Sequence, residues 1–156
     1  MHGFALAGGF GLAVASDLTI VAENTVLGMP EIKRALFPMN IMSPICRSMP
    51  RKRAIEFLFT GDNISVQEAL EAGLVNRVVP LPDLEQASRE LAEKIAKYSP
   101  ATIRLGKNAF YTAADMEYFK TFSYLVDMLA ITSTTEDAQE GVKAFFEKRE
   151  PVWKGK

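Results

Sequence analysis

The sequence predicts an α/β chain in which a few short strands come early and helices follow. Residues 18–22 form a short, β-branched, apolar run, which is typical of a buried strand. After residue 51 the apolar residues recur at helical spacing. The 156 residues are 48% hydrophobic and 24% charged, which matches a globular domain. We therefore expect two or three strands and then about five helices.

The second predicted strand leads into a proline. Residues 26–29 are extended sequence, and Pro30 disfavours helical backbone at Met29. Glu31 should therefore follow directly after the end of a strand. Residues 32–49 are interrupted by prolines, and we expect a shaped loop there with room for a short helix at 41–48. Residues 74–79 are predicted to form one further strand.

Caps and apolar stripes mark the helices. Ser65 and Glu68 match a capping box, in which a hydroxyl and a carboxyl satisfy each other's free backbone donors. Ser99-Pro100 predicts an N-cap and a first helical residue, and residues 133–136 again match a capping box. Four predicted helices occupy 51–59, 65–73, 84–98 and 116–131. A further helix is predicted to begin at 99, and the last one to end before 151. Segment 116–131 is apolar on most sides and should be buried on most sides.

The charge and the rare residues exclude several classes of protein. A net charge of -1 gives no basic field for nucleic acid or an anionic membrane, so we expect neither partner. The single cysteine, Cys46, cannot form an internal disulfide, and the single histidine, His2, cannot anchor a multi-histidine metal site. No apolar run is long enough to span a bilayer. We expect a cytoplasmic protein without a metal.

The first ten residues already look like core sequence. Residues 1–15 lack the basic start of a signal peptide, and their glycines would weaken its apolar region. A domain usually begins with polar, dispensable residues. We therefore expect the chain to begin in mid-fold, with its few strands completed by further chain or by another subunit.

Gly8 and Gly9 are the first candidate for chemistry. They precede small residues that can open a helix, and a helix opening leaves backbone N–H groups free. A glycine lets a ligand approach these donors, and the helix dipole favours an oxygen with developing negative charge. The alternative is that both glycines only permit close helix packing. A dinucleotide site is not indicated, since no strand is predicted before this turn and Gly-x-Gly-x-x-Gly is absent.

Glu31 is the second candidate. Its neighbours in sequence are largely apolar, and a carboxylate in apolar surroundings is harder to ionise, which suits a general base near neutral pH. The alternative is a first-turn glutamate that caps a short helix or pairs with Lys33 or Arg34. The basic clusters at 51–53 and 148–149 are interpreted as solvated helix ends rather than phosphate sites.

The combined motifs resemble the crotonase family of enoyl-CoA hydratases and isomerases. The resemblance runs end to end, and residues 50–52 and 151–153 look most like its enoyl-CoA hydratase domain-containing members. The motifs that carry it are His2-Gly3-Phe4-Ala5-Leu6-Ala7-Gly8-Gly9, Ala15-Ser16-Asp17-Leu18, Gly28-Met29-Pro30-Glu31, Phe59-Thr60-Gly61, Ala69-Leu70-Glu71-Ala72-Gly73-Leu74-Val75, and Glu140-Gly141 through Lys148-Arg149.

This resemblance implies a crotonase-like ββα spiral, truncated at the N-terminus, over residues 1–80, and a helical trimerisation region over 81–156. It implies an enzyme that acts on acyl-CoA thioesters in lipid metabolism and assembles as a trimer or hexamer. Coenzyme A would be part of the substrate, and no other cofactor is expected. Gly8 would donate an oxyanion-hole N–H and Glu31 would be a catalytic glutamate. Substrate contacts are implied at Met29, Pro30, Phe145 and Lys148.

The chain departs from the family at the second catalytic glutamate of hydratases. That glutamate would fall at Gly11, which has no side chain to position water. Residues 39–41 also replace the glycines common in hydratases. Isomerase-like chemistry with one glutamate therefore suits the chain better than hydration. The donor of the first oxyanion N–H would lie ahead of this chain, so we keep a catalytically silent assembly module as the alternative.

Overall fold

Five short strands, all within the first 79 residues, form two small sheets. In one sheet β1 pairs parallel with β3, and β3 pairs antiparallel with β4. In the other, β2 pairs parallel with β5. The strands are β1 (Phe4–Leu6), β2 (Ile20–Ala22), β3 (Val26–Gly28), β4 (Asn63–Ile64) and β5 (Arg77–Val79).

The computed structural model describes residues 1–156, which divide into two compact units, Met1–Glu90 and Leu91–Lys156. None of the helices is long and apolar enough to cross a bilayer. The predicted boundary at residue 80 stays a prediction. The helices are α1 (Gly8–Ala15), α2 (Met39–Ser48), α3 (Arg51–Thr60), α4 (Val66–Glu71), α5 (Leu84–Ala96), α6 (Pro100–Ala114), α7 (Tyr118–Ser133) and α8 (Glu136–Glu147), with short 3-10 helices at Pro30–Arg34 and Leu81–Asp83.

One prediction about the first unit was wrong, and another was right only in part. The prediction that no strand precedes the glycine turn fails, because β1 lies there and pairs parallel with β3. Three residues are too few to show a strand periodicity in sequence. Residues 32–49 are less of a loop than expected: the short helix allowed for at 41–48 is present and extends over Met39–Ser48 as α2, despite Pro44. Ile45 is fully buried on α2, so packing of this helix outweighs the local proline signal.

The core of the first unit lies between the sheet and three helices. Its fully buried side chains include Phe10 of α1, Leu27 of β3 and Ile45 of α2. Phe10 meets Phe57 of α3 edge to face, with ring centroids 5.7 Å apart. Through Phe10 and Leu27, this core fixes the positions of α1 and β3.

The predicted caps hold with one exception. Ser65 and Glu68 form the capping box in full, and Ser99 caps α6 by accepting from Thr102 N–H. At the last helix the N-cap is Thr135, which accepts from Ala138 N–H, so the capping box predicted over residues 133–136 was wrong. Helix α7 buries no residue within this chain, in contrast to the burial predicted for segment 116–131.

In the second unit the last residues fold back onto α8. Asp137 is buried and accepts from Ser99 Oγ–H at 2.6 Å and from the backbone N–H groups of Lys154 and Gly155. These donors lower the pKa of the Asp137 carboxyl, with the Ser99 hydroxyl contributing most. The Trp153 indole donates to Lys97 O at 2.7 Å. The C-terminal tail is therefore fastened to the helices of this unit by several hydrogen bonds.

Candidate active site

The junction between β1 and α1 holds Gly8 in an open position. Ala7, the N-cap residue, has φ 50° and ψ -126°, which alanine rarely adopts. Its own N–H remains in the sheet and donates to Gly28 O at 2.9 Å. Because ψ of Ala7 sets the plane of the next peptide, this strained backbone orients the Gly8 N–H at the helix opening.

Gly8 and Gly9 do not serve close packing within this chain. Both are exposed, and a Cβ built on either would meet nothing within 4 Å. The alternative interpretation from sequence, that these glycines only let a neighbour approach, is therefore not supported here. Gly11 is the tightly packed glycine of α1: it is buried, and a Cβ there would overlap the side chain of Ile41.

Glu31 lies in the first turn of the 3-10 helix that follows β3. Met29 before it is fully buried, and Pro30 is the first residue of the helix. Oε2 of Glu31 is buried and has no hydrogen-bond partner among the protein's groups. The helix has no side-chain cap, and Lys33 pairs with Asp62 at 3.1 Å. Glu31 therefore neither caps this helix nor forms an ion pair with Lys33.

The apolar residues near Glu31 in sequence are mostly buried or partly buried. Leu27 and Met29 are fully buried, Ile32 and Phe37 are partly buried, and only Leu36 among the predicted apolar neighbours is exposed. Phe37 in turn meets the ring of Phe59, with centroids 5.7 Å apart. A buried carboxylate oxygen without a donor is costly in such surroundings.

The sheet brings Gly8 and Glu31 to the same edge. Leu6 of β1 is in register with Gly28 of β3, and the two strands are parallel. Gly8 follows Leu6 by two residues and Glu31 follows Gly28 by three, so both lie just beyond the carboxyl ends of adjacent strands. This is the edge at which parallel sheets commonly bind ligands. An open backbone donor and a carboxylate with one buried oxygen therefore share one side of the sheet.

Phe145 and Lys148, the other predicted substrate contacts, belong to the second unit. Phe145 is exposed near the end of α8 and meets Phe146 edge to face. Lys148 ends that helix in the left-handed conformation, with φ 54°.

Arg149 was not singled out from sequence as a structural residue. It pairs with Glu140, at 2.9 Å from Nη2 to Oε2, and with Glu147. Hydrogen bonding from Arg149 is the main cause that lowers the pKa of Glu140 to about 2, with a further contribution from Val152 N–H. Glu140 lies nine residues and Glu147 two residues before Arg149, and neither spacing is the three- or four-residue spacing that indicates a pair on one helix face.

Arg53 in the basic run at residues 51–53 pairs with Glu56 and Glu68, at 3.5 and 3.4 Å. No three histidine, cysteine, aspartate or glutamate side chains come together in a group that could hold a metal ion.

Comparison with known proteins gives one consistent result. Residues 1–156 match the family model described as Enoyl-CoA hydratase/isomerase. The mitochondrial enoyl-CoA hydratase domain-containing protein 3 of Rattus norvegicus is 38% identical over 98% of this chain and 51% of its own length. Carnitinyl-CoA dehydratase of Salmonella heidelberg (strain SL476) is 34% identical over 100% of this chain and 62% of its own. The crystal structure of enoyl-CoA hydratase from Mycobacterium smegmatis has a TM-score of 0.95 and 31% identity, covering 98% of this chain and 60% of that one.

The predicted fold class and family resemblance are confirmed. The chain spans about half the length of the rat relative, so it corresponds to part of the full crotonase fold. Its mixed α/β architecture matches that part closely. This chain belongs to the enoyl-CoA hydratase/isomerase family, the crotonases.

Proposed function

We propose that the protein carrying this chain isomerises the double bond of an enoyl-CoA thioester, with Glu31 as the proton carrier and the Gly8 N–H as an oxyanion donor. The observation that supports this most is the buried, unpartnered Oε2 of Glu31 at the same sheet edge as the open Gly8 N–H. Family membership supports an acyl-CoA thioester as the substrate class.

The reaction needs one base and one anion-stabilising group. The Glu31 carboxylate removes a proton from the carbon next to the thioester carbonyl. The electrons of that C–H bond form the enolate, and the Gly8 N–H stabilises the negative charge on its oxygen. The protonated Glu31 then returns the proton to the far carbon of the original double bond, whose electrons form the new C–H bond. The C=C electrons of the enolate form the new double bond, and a lone pair on the oxygen restores the carbonyl. One proton leaves and one returns, so no water is consumed.

The burial of Oε2 suits this role. A carboxylate that already holds two or three donors would have to lose them in order to take a proton from carbon. Glu31 Oε2 has none to lose. The strained Ala7 backbone at the start of α1 supports the role of the Gly8 N–H as oxyanion donor, because strained backbone is common at functional sites.

The remaining parts of the proposal concern binding and assembly. We assign substrate contacts to Met29 and Pro30 beside Glu31, and coenzyme A contacts to Phe145 and Lys148. Coenzyme A is part of the substrate, and no further cofactor is proposed. A homotrimer or hexamer would cover the apolar side chains that α7 exposes, among them Phe119 and Leu129. A cytoplasmic location remains our prediction, although the rat relative is named as mitochondrial.

Replacing Glu31 by glutamine tests the central claim. The amide keeps the shape of the side chain and cannot accept the proton, so we expect turnover to fall at least about tenfold, with coenzyme A affinity unchanged. Glu23→Gln is the matched control, since Glu23 is an exposed glutamate of the same unit. Isomerisation and hydration of enoyl-CoA are measured in this chain and in a version extended upstream. Unchanged turnover in an active Glu31→Gln variant would refute the role.

The second candidate is a catalytically silent module for subunit assembly. The bare Gly11 and the apolar surface of α7 favour it. Absence of both activities and of coenzyme A binding in the extended form would favour this alternative over the enzyme.

A further inference from the structure

Hydrogen bonds on both sides of Ala7 fix the peptide that joins it to Gly8. Ala7 N–H donates to Gly28 O of β3 at 2.9 Å, and Ala7 O accepts from Gly11 N–H of α1 at 3.0 Å. All peptide bonds of the chain are trans, so the Gly8 N–H points opposite to the Ala7 C=O. Because that C=O points along α1 towards Gly11, the Gly8 N–H points out of the start of the helix. It donates to no group of this chain.

This orientation requires a strained backbone at Ala7. With φ 50° and ψ -126°, the residue lies in a region that glycine occupies and that residues with a Cβ avoid. The other non-glycine residues with positive φ, Ala35 and Lys148, both lie in the ordinary left-handed region. Ala7 is therefore the one alanine whose conformation is suited to glycine alone.

The same peptide has a less strained alternative. Turning its plane over would change ψ of Ala7 by about 180° and bring the residue into the left-handed region. The φ of Gly8 would change by a similar amount, which glycine tolerates. The turned peptide would present the Ala7 carbonyl oxygen at the start of α1 and would lose the bond from Gly11 N–H. A carbonyl oxygen in that position would repel an enolate oxygen instead of stabilising it.

Resting on the proposed function, we infer that Ala7 is a positioning residue for the Gly8 oxyanion donor. It takes on the backbone strain that an outward N–H requires, and its bonds to Gly28 and Gly11 hold it in that state. The bond to Gly28 O also ties the donor to the end of β3, three residues before Glu31.

Two substitutions that favour opposite orientations test the peptide without an activity assay. Ala7→Gly relieves the strain, so it should raise the melting temperature by roughly 2–6 °C and keep the Gly11 N–H protected from hydrogen exchange. Asparagine favours the left-handed region, so Ala7→Asn should turn the peptide over and speed exchange at Gly11 at least about tenfold.

Ala15 supplies the matched controls, since it is an exposed alanine of α1 without positive φ. Ala15→Gly should lower the melting temperature, because glycine is unfavourable in an ordinary helix. Ala15→Asn should leave exchange at Gly11 unchanged. A lower melting temperature for Ala7→Gly, or unchanged exchange at Gly11 in Ala7→Asn, would overturn the inference.

Kinetics of an active form of the protein test the positioning role. Ala7→Asn should lower kcat for isomerisation at least about tenfold and change KM less than about threefold, since loss of one oxyanion donor costs roughly 10²–10³-fold in kcat. Ala7→Gly and Ala15→Asn should keep kcat within about threefold of the wild type. Faster exchange at Gly11 with an unchanged kcat in Ala7→Asn would overturn the inference, while Glu31→Gln would still decide the proposed base. If the wild-type protein does not isomerise at all, the proposed function fails, and the inference fails with it.

Discussion

Replacing Gly61 by alanine is expected to destabilise the unit that carries Glu31. Gly61 ends α3 in the left-handed conformation, with φ +65°, and it is buried. A Cβ there would lie 2.6 Å from Ile32 Cγ2 and 3.4 Å from Met29 O. Ile32 is the residue directly after Glu31, so the added methyl presses on the 3-10 helix that holds the carboxylate.

The magnitude follows from three effects. The left-handed conformation costs alanine about 1–2 kcal/mol relative to glycine, and overpacking of a core contact costs about 1–3 kcal/mol. The unfolded chain loses entropy when glycine becomes alanine, which offsets about 0.4–1 kcal/mol. The net loss in the free energy of unfolding should be about 2–4 kcal/mol.

Urea unfolding followed by far-ultraviolet circular dichroism measures this loss. Tryptophan fluorescence is less suitable, because the only tryptophan, Trp153, lies in the second unit. Ala35→Gly is the matched control, since Ala35 ends the 3-10 helix in the same left-handed conformation, with φ 56°, and is exposed. Ala35→Gly should raise the free energy of unfolding by about 0–1 kcal/mol.

Two outcomes would refute the reasoning. A loss below about 1 kcal/mol for Gly61→Ala would mean that Ile32 moves aside freely and that the contact does not hold the Glu31 segment. A loss for Ala35→Gly as large as that for Gly61→Ala would mean that backbone conformation at these two positions does not decide the stability. In an active form of the protein, Gly61→Ala should also lower turnover, since it displaces the segment that positions the proposed base.

Three further predictions concern caps and the C-terminal tail. Asp137→Asn should lower the melting temperature by roughly 5 °C or more, because an amide cannot accept from all the donors that the carboxylate holds. An unchanged melting temperature would contradict the role of Asp137 in fastening the tail. The pKa of Glu140 is depressed in the folded state, so the stability from its pairing with Arg149 should be fully present above about pH 4.5 and be lost as the pH falls toward 2. The stability of Glu140→Gln, measured by unfolding at several pH values, should lack this loss between pH 4.5 and 2. Ser65→Ala should cost about 1 kcal/mol in urea unfolding, since it removes the hydroxyl that accepts from Glu68 N–H. A loss below about 0.3 kcal/mol would speak against that cap.

The local features of this fold were predictable because their partners are close in sequence. Ser65 and Glu68 are three residues apart, and Ser99 caps a helix whose N–H donor is three residues away. Such signals need no knowledge of the rest of the fold. The same holds for the proposed site in outline, because the glycines and small residues of a helix opening indicate Gly8, and a strand end with a proline indicates Glu31.

Strand β1 could not be predicted in the same way, and helix α2 was expected only as a possible short helix within a loop. Pro44 is a local signal against a helix, and only burial of Ile45 against the core outweighs it. Strand β1 has three residues and acquires its identity from pairing with β3, more than twenty positions away. Short elements of this kind are determined by their partners rather than by their own periodicity.

Sequence alone determined the family, the α/β class, most helix ends, and the two residues that we assign to the chemistry, since these depend on residue types and short spacings. Only the tertiary structure decided that Gly8 is open while Gly11 is filled by Ile41, that Glu31 Oε2 is buried without a partner, and that Asp137 fastens the tail. The reason is that these properties depend on which atoms from distant parts of the chain occupy the same space, and a linear pattern does not contain that information.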